Sequence, residues 1–214
     1  MVVLPIGPDT PEWCRKTRGV KASDICAIVF EDAGTDQPLF LDMLGEDTGR
    51  YSIGVSVGPR TQFSCLDWGF EMKPAGSPSM EIPYEKEIFT LVMFGPKEVY
   101  LNVGDANDAG GFEVNASEED RPPTAALYIE ALDPTPGDPK VSFSDRVRIK
   151  SYHGDKTTYL QLFASDGVFG VRMVPEKDMD PASTIWHIKH GNDYLGTGIR
   201  IVGYKPEDFP PKPE

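Results

Sequence analysis

Basic residues are few for a chain of 214 residues. Lysine and arginine total 21 against 34 aspartates and glutamates, so the formal net charge is −13 at pH 7. Nucleic-acid binding depends on lysine and arginine displacing counterions from phosphates, and anionic membranes attract basic clusters for the same electrostatic reason. The densest basic stretch, Arg15 to Lys21, is short and unrepeated. The composition therefore argues against a nucleic-acid partner and against attraction to anionic membranes.

Cysteine is scarce, and long apolar runs are lacking. The three cysteines, Cys14, Cys26 and Cys65, are odd in number and irregularly spaced, which is typical of reduced thiols. No stretch approaches the roughly 20 apolar residues of a membrane span. The first residues, Met1 to Ile6, lack the basic region of a secretory signal. These features predict a soluble, cytoplasmic protein without membrane insertion.

Recognisable catalytic and metal-binding motifs are missing as well. His187 and His190 are three residues apart, which on a strand places them on opposite faces, so one metal ion could not readily bind both. The segment from Gly54 to Gly58 has the Gly-x-Ser-x-Gly spacing of a nucleophile elbow, but Pro59 follows where that motif requires a helix. With no catalytic triad, metal set or cofactor motif, the sequence favours a non-catalytic protein with no cofactor.

Glycine and proline, by contrast, are abundant, with 21 and 20 residues respectively. They divide the chain into many short segments joined by turns, and apolar residues alternate within those segments, as at Phe112, Val114 and Ala116. No segment has an apolar stripe at helical spacing over three turns. We therefore expect an all-β fold made of many short strands.

A series of landmarks occurs three times in the same order. Each unit has an aromatic residue followed by leucine, and these pairs recur at nearly equal intervals: Phe40-Leu41, Tyr100-Leu101 and Tyr159-Leu160. Each unit ends in a strand with an aromatic residue, and these aromatics recur at nearly the same interval: Trp68, Tyr128 and Trp186. Recurrence at a fixed period indicates a repeat architecture. We interpret the recurring aromatic and leucine positions as core layers, one contribution from each unit.

With this spacing the chain resembles the β-trefoil superfamily over roughly residues 25–190. The unit that contains Tyr100-Leu101 and Phe112 to Ser117 is similar to fascin-type repeats, and the overall form resembles cytosolic trefoil lectins and protease inhibitors of the mycocypin kind. The resemblance implies a β-trefoil of three four-stranded repeats of about 60 residues with pseudo-threefold symmetry, in which six strands form a barrel and six form capping hairpins. The Gln-x-Trp triplet of ricin-type lectins is absent from the unit ends, which argues against ricin-type galactose binding.

The repeats also set the predicted domain boundaries. We expect an N-terminal extension over 1–24, a single domain over 25–204 and a proline-rich tail over 205–214. Within the domain we place three repeats and a closing hairpin, at about 25–72, 88–132, 146–190 and 194–204. The segments between repeats, 73–83 and 133–140, are interpreted as linkers.

The turns of the third repeat contain the candidate binding residues. Trefoil lectins hold sugars with an aspartate or asparagine for the hydroxyls and an aromatic ring for the apolar face of the sugar, and this resemblance selects a set from two loops: His153, Asp155, His190, Asn192 and Tyr194. Asp193 lies in the same loop. These residue types also dominate ordinary turns, so a purely structural role stays open.

Three functions follow, in this order. The first is non-catalytic carbohydrate binding by a lectin-like protein. The second is a protein-interaction module such as a protease inhibitor, because the long, proline-stiffened loops at 73–83 and 118–123 would lower the ordering cost of binding. The third is an enzyme with an unrecognised surface site. The expected partner is accordingly a glycan or another protein.

Overall fold

The structure is a computed structural model, and it describes residues 19–22, 24, 26–31, 38–43, 53–58, 68–72, 80–94, 97–106, 111–134, 138–143, 145–165 and 168–190. Within these ranges the regular structure is almost entirely β. The twelve strands are β1 (Cys26–Phe30), β2 (Leu39–Met43), β3 (Ile53–Gly58), β4 (Trp68–Met72), β5 (Ile88–Phe94), β6 (Lys97–Ala106), β7 (Phe112–Ser117), β8 (Tyr128–Ala131), β9 (Arg146–His153), β10 (Lys156–Ser165), β11 (Val168–Pro175) and β12 (Trp186–His190). The prediction of an all-β protein is confirmed.

The helical segments in the described part of the chain are short. They are three 3₁₀ helices of three residues each: Pro123–Ala125, Glu176–Asp178 and Ala182–Thr184. None of them has the length and apolar character needed to cross a membrane.

Alternating burial explains why these segments form strands. In β12, Trp186 and Ile188 are fully buried, whereas His187 and Lys189 are partly exposed. Successive side chains of a strand point to opposite faces, so a period of two places one set in the core and the other at the surface. The same alternation begins β4, where Trp68 and Phe70 are fully buried.

The strands pair antiparallel and close into a barrel. Following the hydrogen-bonded neighbours gives a ring of nine strands, in the order β1-β4-β5-β6-β7-β11-β10-β9-β12 and back to β1. Two further strands, β2 and β3, connect β1 to β7, and β8 pairs with β9. Closure of the ring leaves its strands without free edges.

The prediction of a β-trefoil is wrong, because the ring has nine strands and not six. The resemblance implied that six strands form the barrel and that the other six form capping hairpins. The ring instead includes β6, β7, β10 and β11, since β7 pairs with β11 through Arg172 opposite Glu113 and Met173 opposite Phe112. Repeat spacing predicts how many strands there are and how long each is, but it does not determine which strand edges pair.

Three segments that precede β1, β5 and β9 meet in a closed cycle of backbone hydrogen bonds. Val20 N–H donates to Val141 O at 2.7 Å, Val141 N–H donates to Ile82 O at 2.8 Å, and Ile82 N–H donates to Val20 O at 2.8 Å. All three side chains are fully buried in the main core. The cycle satisfies backbone groups that burial would otherwise leave without partners.

The two buried tryptophans make matching hydrogen bonds. Trp68 Nε1 donates to Leu41 O and Trp186 Nε1 donates to Leu160 O, each at 2.9 Å. These bonds satisfy the indole N–H groups in a fully buried setting, as buried tryptophan requires. The prediction that both tryptophans belong to the core is confirmed.

Tyr128 was expected in the same core layer, and this prediction is wrong. It is Leu127 that is buried, at 1% exposure, while Tyr128 is only half-buried. A shift of one residue along a strand moves a side chain to the opposite face. Leu127 stands midway in sequence between Trp68 and Trp186, so it occupies the core position and Tyr128 points outward.

Candidate functional site

The outward shift of Tyr128 creates a surface with several aromatic and charged groups. Cross-strand pairing sets Tyr128 opposite Lys150, Lys150 opposite Tyr159, and Tyr152 opposite Thr157. Paired residues in an antiparallel sheet project from the same face. We call these five residues the β8–β10 face: Tyr128, Lys150, Tyr152, Thr157 and Tyr159.

Two tyrosine rings dominate the outer part of this face. The rings of Tyr128 and Tyr152 lie with centroids 4.8 Å apart and planes at 70°. This edge-to-face arrangement is favourable for aromatic pairs and holds the second ring in place. Tyr152 is nevertheless 51% exposed, which makes it the most exposed large hydrophobic residue in the described part of the chain. Its ring is therefore both fixed in position and open to solvent.

Lys150 lies beside these rings and forms an ion pair with Glu85. Its Nζ is 3.0 Å from Oε1 and 2.8 Å from Oε2 of Glu85, and the lysine side chain is only 10% exposed. Burial by itself lowers the pKa of Lys150, but the hydrogen bond and charge of Glu85, followed by the charge of Glu130, raise it overall. Lys150 is thus a cation whose charge is already neutralised.

Glu85 has an unusual backbone conformation. Its φ is +57°, a left-handed value that residues other than glycine seldom adopt. Its N–H donates to Ile129 O at 3.0 Å, which ties this turn to β8. Such a conformation costs about 1 kcal/mol or more and persists where the surrounding structure enforces it. The turn holds the carboxylate over Lys150.

Glu87 supplies a second carboxylate at the rim. The Tyr128 hydroxyl donates to Glu87 Oε2 at 3.4 Å. Burial, then the charge of Glu87 and this hydrogen bond, raise the pKa of Tyr128. The phenol therefore stays protonated at neutral pH and acts as a hydrogen-bond donor.

A third carboxylate lies at the inner end of the face. Glu130 is paired with Arg148 across β8 and β9, and its Oε2 is buried with no hydrogen-bond partner among the described residues. Burial, followed by the charge of Glu130, raises the pKa of Tyr159. The carboxylates of three residues thus border the face: Glu85, Glu87 and Glu130.

The hairpin between β9 and β10 brings two of the predicted site residues to this region. His153 pairs with Lys156 across a two-residue turn of Gly154 and Asp155. Gly154 has φ of +64°, as primed hairpin turns demand. Asp155 is exposed on this turn, close in sequence to Tyr152.

His153 has a packing partner. Its ring is half-buried and lies 4.2 Å from the ring of Phe112, with planes at 41°. The histidine therefore joins the hairpin to β7, whereas Asp155 is exposed on the turn.

The remaining predicted residues do not join this group in the described part of the structure. The backbone of His190 ends β12, and the register of Trp186 with Val147 and His187 with Arg146 directs that end away from His153. From Arg146 to His153 the strand runs on the order of 20 Å at roughly 3.3 Å per residue. Asn192 and Tyr194 lie outside the described residues.

Sequence reasoning missed Tyr128, Lys150 and Tyr152, together with the glutamates at the rim. A signal was available in the alternation of β9, because Lys150 and Tyr152 are two residues apart and so share a face.

An apolar cavity of about 310 Å³ lies near the other end of β10. Its walls include Phe30, Leu162, Phe163, Phe169 and Ile185. Phe163 is 37% exposed, and its ring lies under the Arg172 guanidinium at 5.4 Å. The cavity offers apolar contact but few polar groups that could orient a ligand.

In the described ranges no group of three or more histidine, cysteine, aspartate or glutamate side chains could hold a metal ion. The arrangement of the β8–β10 face instead suits contact through an aromatic ring with hydrogen bonds at its border.

The fold and this face define the class of protein as an antiparallel β-barrel protein with an exposed, acid-rimmed aromatic surface. No protein-family model matches the sequence, and no curated protein matches it either. Comparison of structures does give matches.

One similar structure is the SDF2-like protein from Arabidopsis thaliana, with a TM-score of 0.57 and 15% identity, covering 80% of this chain and 94% of that chain. Another is the S. cerevisiae protein O-mannosyltransferase Pmt1-Pmt2 complex bound to the sugar donor, with a TM-score of 0.59, 12% identity and coverage of 80% and 25%. A third is the binding domain of botulinum neurotoxin serotype D, with a TM-score of 0.57, 9% identity and coverage of 85% and 46%.

At these identities the likeness shows a shared fold. The chain spans a quarter of the compared mannosyltransferase chain and under half of the compared toxin chain. It spans nearly all of the SDF2-like protein.

Proposed function

We propose that this protein is a non-catalytic carbohydrate-binding protein whose ligand lies on the Tyr152 ring of the β8–β10 face. The observation that carries the proposal is the Tyr152 ring itself, half-exposed yet fixed at 4.8 Å against Tyr128. A single exposed aromatic residue is ordinary on a protein surface. A ring held in place by a second ring and bordered by carboxylates is a more specific arrangement.

The chemistry of a pyranose matches this arrangement. One side of the ring presents C–H groups that pack on an aromatic face, while hydroxyls around the edge both donate and accept hydrogen bonds. Tyr152 supplies the aromatic face. Glu87 and Asp155 supply acceptors, and the Tyr128 hydroxyl is a donor or acceptor within reach of the same region. Few side chains need ordering, because Tyr128 and Lys150 are already held by their partners.

The similar structures add support of a limited kind. One of them is described as a mannosyltransferase complex bound to a sugar donor, and another as a toxin binding domain. Fold alone does not determine function, so the proposal rests on the face and not on these names.

A glycan array tests the proposal, with wild-type protein beside two variants. Tyr152→Ala removes the proposed contact. Phe163→Ala is the matched control, because it removes another exposed aromatic ring from the neighbouring strand β10. We expect reproducible wild-type signals that Tyr152→Ala abolishes and Phe163→Ala retains. Signals that survive in Tyr152→Ala would contradict the proposed site.

The alternative function is binding of a protein partner, as in a protease inhibitor. It would take first place if no glycan on a broad array bound the wild-type protein. Inhibition of papain-like and serine proteases at micromolar protein would then be the next measurement.

A further inference from the structure

The charges around the β8–β10 face point to one class of glycan. We infer that this face takes neutral hexopyranosyl glycans and rejects glycans with a carboxylate, such as uronic or sialic acids. The inference rests on the proposed function, and it names the ligand class for the same site.

The only lysine of the face is not available to an anionic ligand. Both carboxylate oxygens of Glu85 lie within 3.0 Å of Lys150 Nζ, and the lysine side chain is 10% exposed. An incoming carboxylate would have to displace Glu85, which leaves that carboxylate unpaired beside the new one. The ion pair with Glu85 therefore keeps Lys150 from binding an anionic ligand.

The nearby arginine is engaged as well. Arg148 lies opposite Glu130 across β8 and β9, and its Nε donates to Thr184 Oγ1 at 3.2 Å. It sits two residues from Lys150 along β9, farther from Tyr152 than the lysine is. Neither Lys150 nor Arg148 is thus an unengaged cation.

Two exposed lysines lie near the rim: Lys156 is paired with His153 and so projects from the face opposite to Tyr152, and Lys86 stands between Glu85 and Glu87 in the sequence, beside their carboxylates.

Carboxylates, in contrast, line the positions where ligand hydroxyls would bind. Glu87 contacts the Tyr128 hydroxyl, Glu85 is half-exposed, and Asp155 is exposed on the adjoining turn. Each ionised carboxylate only accepts hydrogen bonds, so it pairs well with a sugar hydroxyl and repels a second carboxylate. The net charge of −13 adds a long-range repulsion of the same sign.

Glycosides that differ only at C6 give the sharpest test. Methyl glucoside, galactoside and mannoside are each titrated beside the corresponding uronide, which replaces the C6 hydroxymethyl group with a carboxylate. At pH 7 and low salt we expect the best neutral glycoside to bind at least tenfold more tightly than its uronide. High salt should narrow this ratio, because screening weakens repulsion between exposed charges.

Two variants test whether the β8–β10 face causes the preference for neutral glycosides over uronides. Glu87→Gln removes a carboxylate at the rim and should lower the ratio of the two affinities several-fold. Asp133→Asn makes the same change of net charge beside Arg146, at the opposite end of β9 from Tyr152, and should leave the ratio unchanged.

The outcomes separate this inference from the proposed function. A uronide that binds as tightly as its neutral partner, with both lost in Tyr152→Ala, would overturn the inference and leave carbohydrate binding at this face intact. If none of the glycosides binds wild-type protein, or if Tyr152→Ala binds them unchanged, the proposed site fails and the inference fails with it.

Discussion

The start of β8 differs from the starts of β4 and β12, and the difference explains where the candidate site is. In β4 and β12 a tryptophan fills the core and donates to a backbone carbonyl, and the next residue outward is Gly69 or His187. Directly before β8 the core position holds Leu127, and Tyr128, the first residue of β8, points outward. At the start of β8 the large aromatic side chain therefore lies on the surface of the barrel and not inside it.

The positions of Trp68, Tyr128 and Trp186 therefore have different structural roles, although they are similarly spaced in the sequence. The tryptophans stabilise the core, where their apolar area and hydrogen bonds count most. Tyr128 buries less area but contacts Tyr152 and Glu87 at the surface. The position that contributes less to the core is thus the one whose aromatic ring belongs to the β8–β10 face.

The largest expected effect is on the tryptophan side of the comparison. Trp186→Ala should lower the free energy of unfolding by about 3–5 kcal/mol, because it opens a cavity and leaves Leu160 O without its donor. Tyr128→Ala should cost about 1 kcal/mol, since its ring is only half-buried. Urea denaturation followed by circular dichroism measures both. Equal losses would show that Tyr128 belongs to the core after all.

A smaller effect is expected from the ion pair beneath Tyr152. Lys150→Met keeps the aliphatic part of the side chain but removes the partner of Glu85, so we expect a loss of about 1–2 kcal/mol. The same denaturation measurement at pH 7 gives the value. Lys177→Met, a highly exposed lysine 3.9 Å from Asp178, is the control and should change stability little. A loss no larger than that of the control would contradict the role given to the pair.

The pH dependence of stability should also reflect this face, with a smaller effect still. The pKa values of Lys150, Tyr128 and Tyr159 are all raised in the folded protein. The unfolded chain then loses protons first, at about pH 10, so stability is complete below that value and falls as pH rises further through the folded pKa values. Denaturation midpoints between pH 8 and pH 11 should fall less steeply in Lys150→Met. An identical slope in that variant would exclude Lys150 from the effect.

Much of the secondary structure was predictable from the sequence. Alternation and turn residues predicted an all-β chain, and the tryptophans at the end of two units were correctly expected in the core. These features depend on local chemistry, namely the period of two and the burial of large apolar side chains. The nine-stranded composition of the ring was not predictable, because the β7–β11 pairing joins residues that are far apart in the sequence.

The face was missed for a different reason. Tyr128 was aligned with Trp68 and Trp186 because it is aromatic and lies at nearly the same interval, whereas Leu127 stands midway in sequence between the two tryptophans. One residue of misalignment exchanges inside for outside. Glu85 and Glu87 were out of reach for sequence reasoning, since they approach Lys150 and Tyr128 only through the fold.

One repeated sequence signal lies in the segments that precede β1 and β9. Val20 and Val141 each begin a short turn closed by an aspartate four residues on: Asp24 accepts the Lys21 N–H at 2.9 Å, and Asp145 accepts the Ser142 N–H at 2.6 Å. The recurrence of this pattern before β1 and β9 marks the buried hydrogen-bond cycle that these valines form.

The most direct test of the central claim is a calorimetric titration of the best neutral array hit into wild-type protein, Tyr152→Ala and Phe163→Ala. We predict saturable binding by the wild type, at least a tenfold weaker affinity in Tyr152→Ala, and wild-type affinity in Phe163→Ala, with all three proteins unfolding at similar urea concentrations. Wild-type affinity in a folded Tyr152→Ala variant would show that the surface built by Tyr128 and Tyr152 is not the binding site.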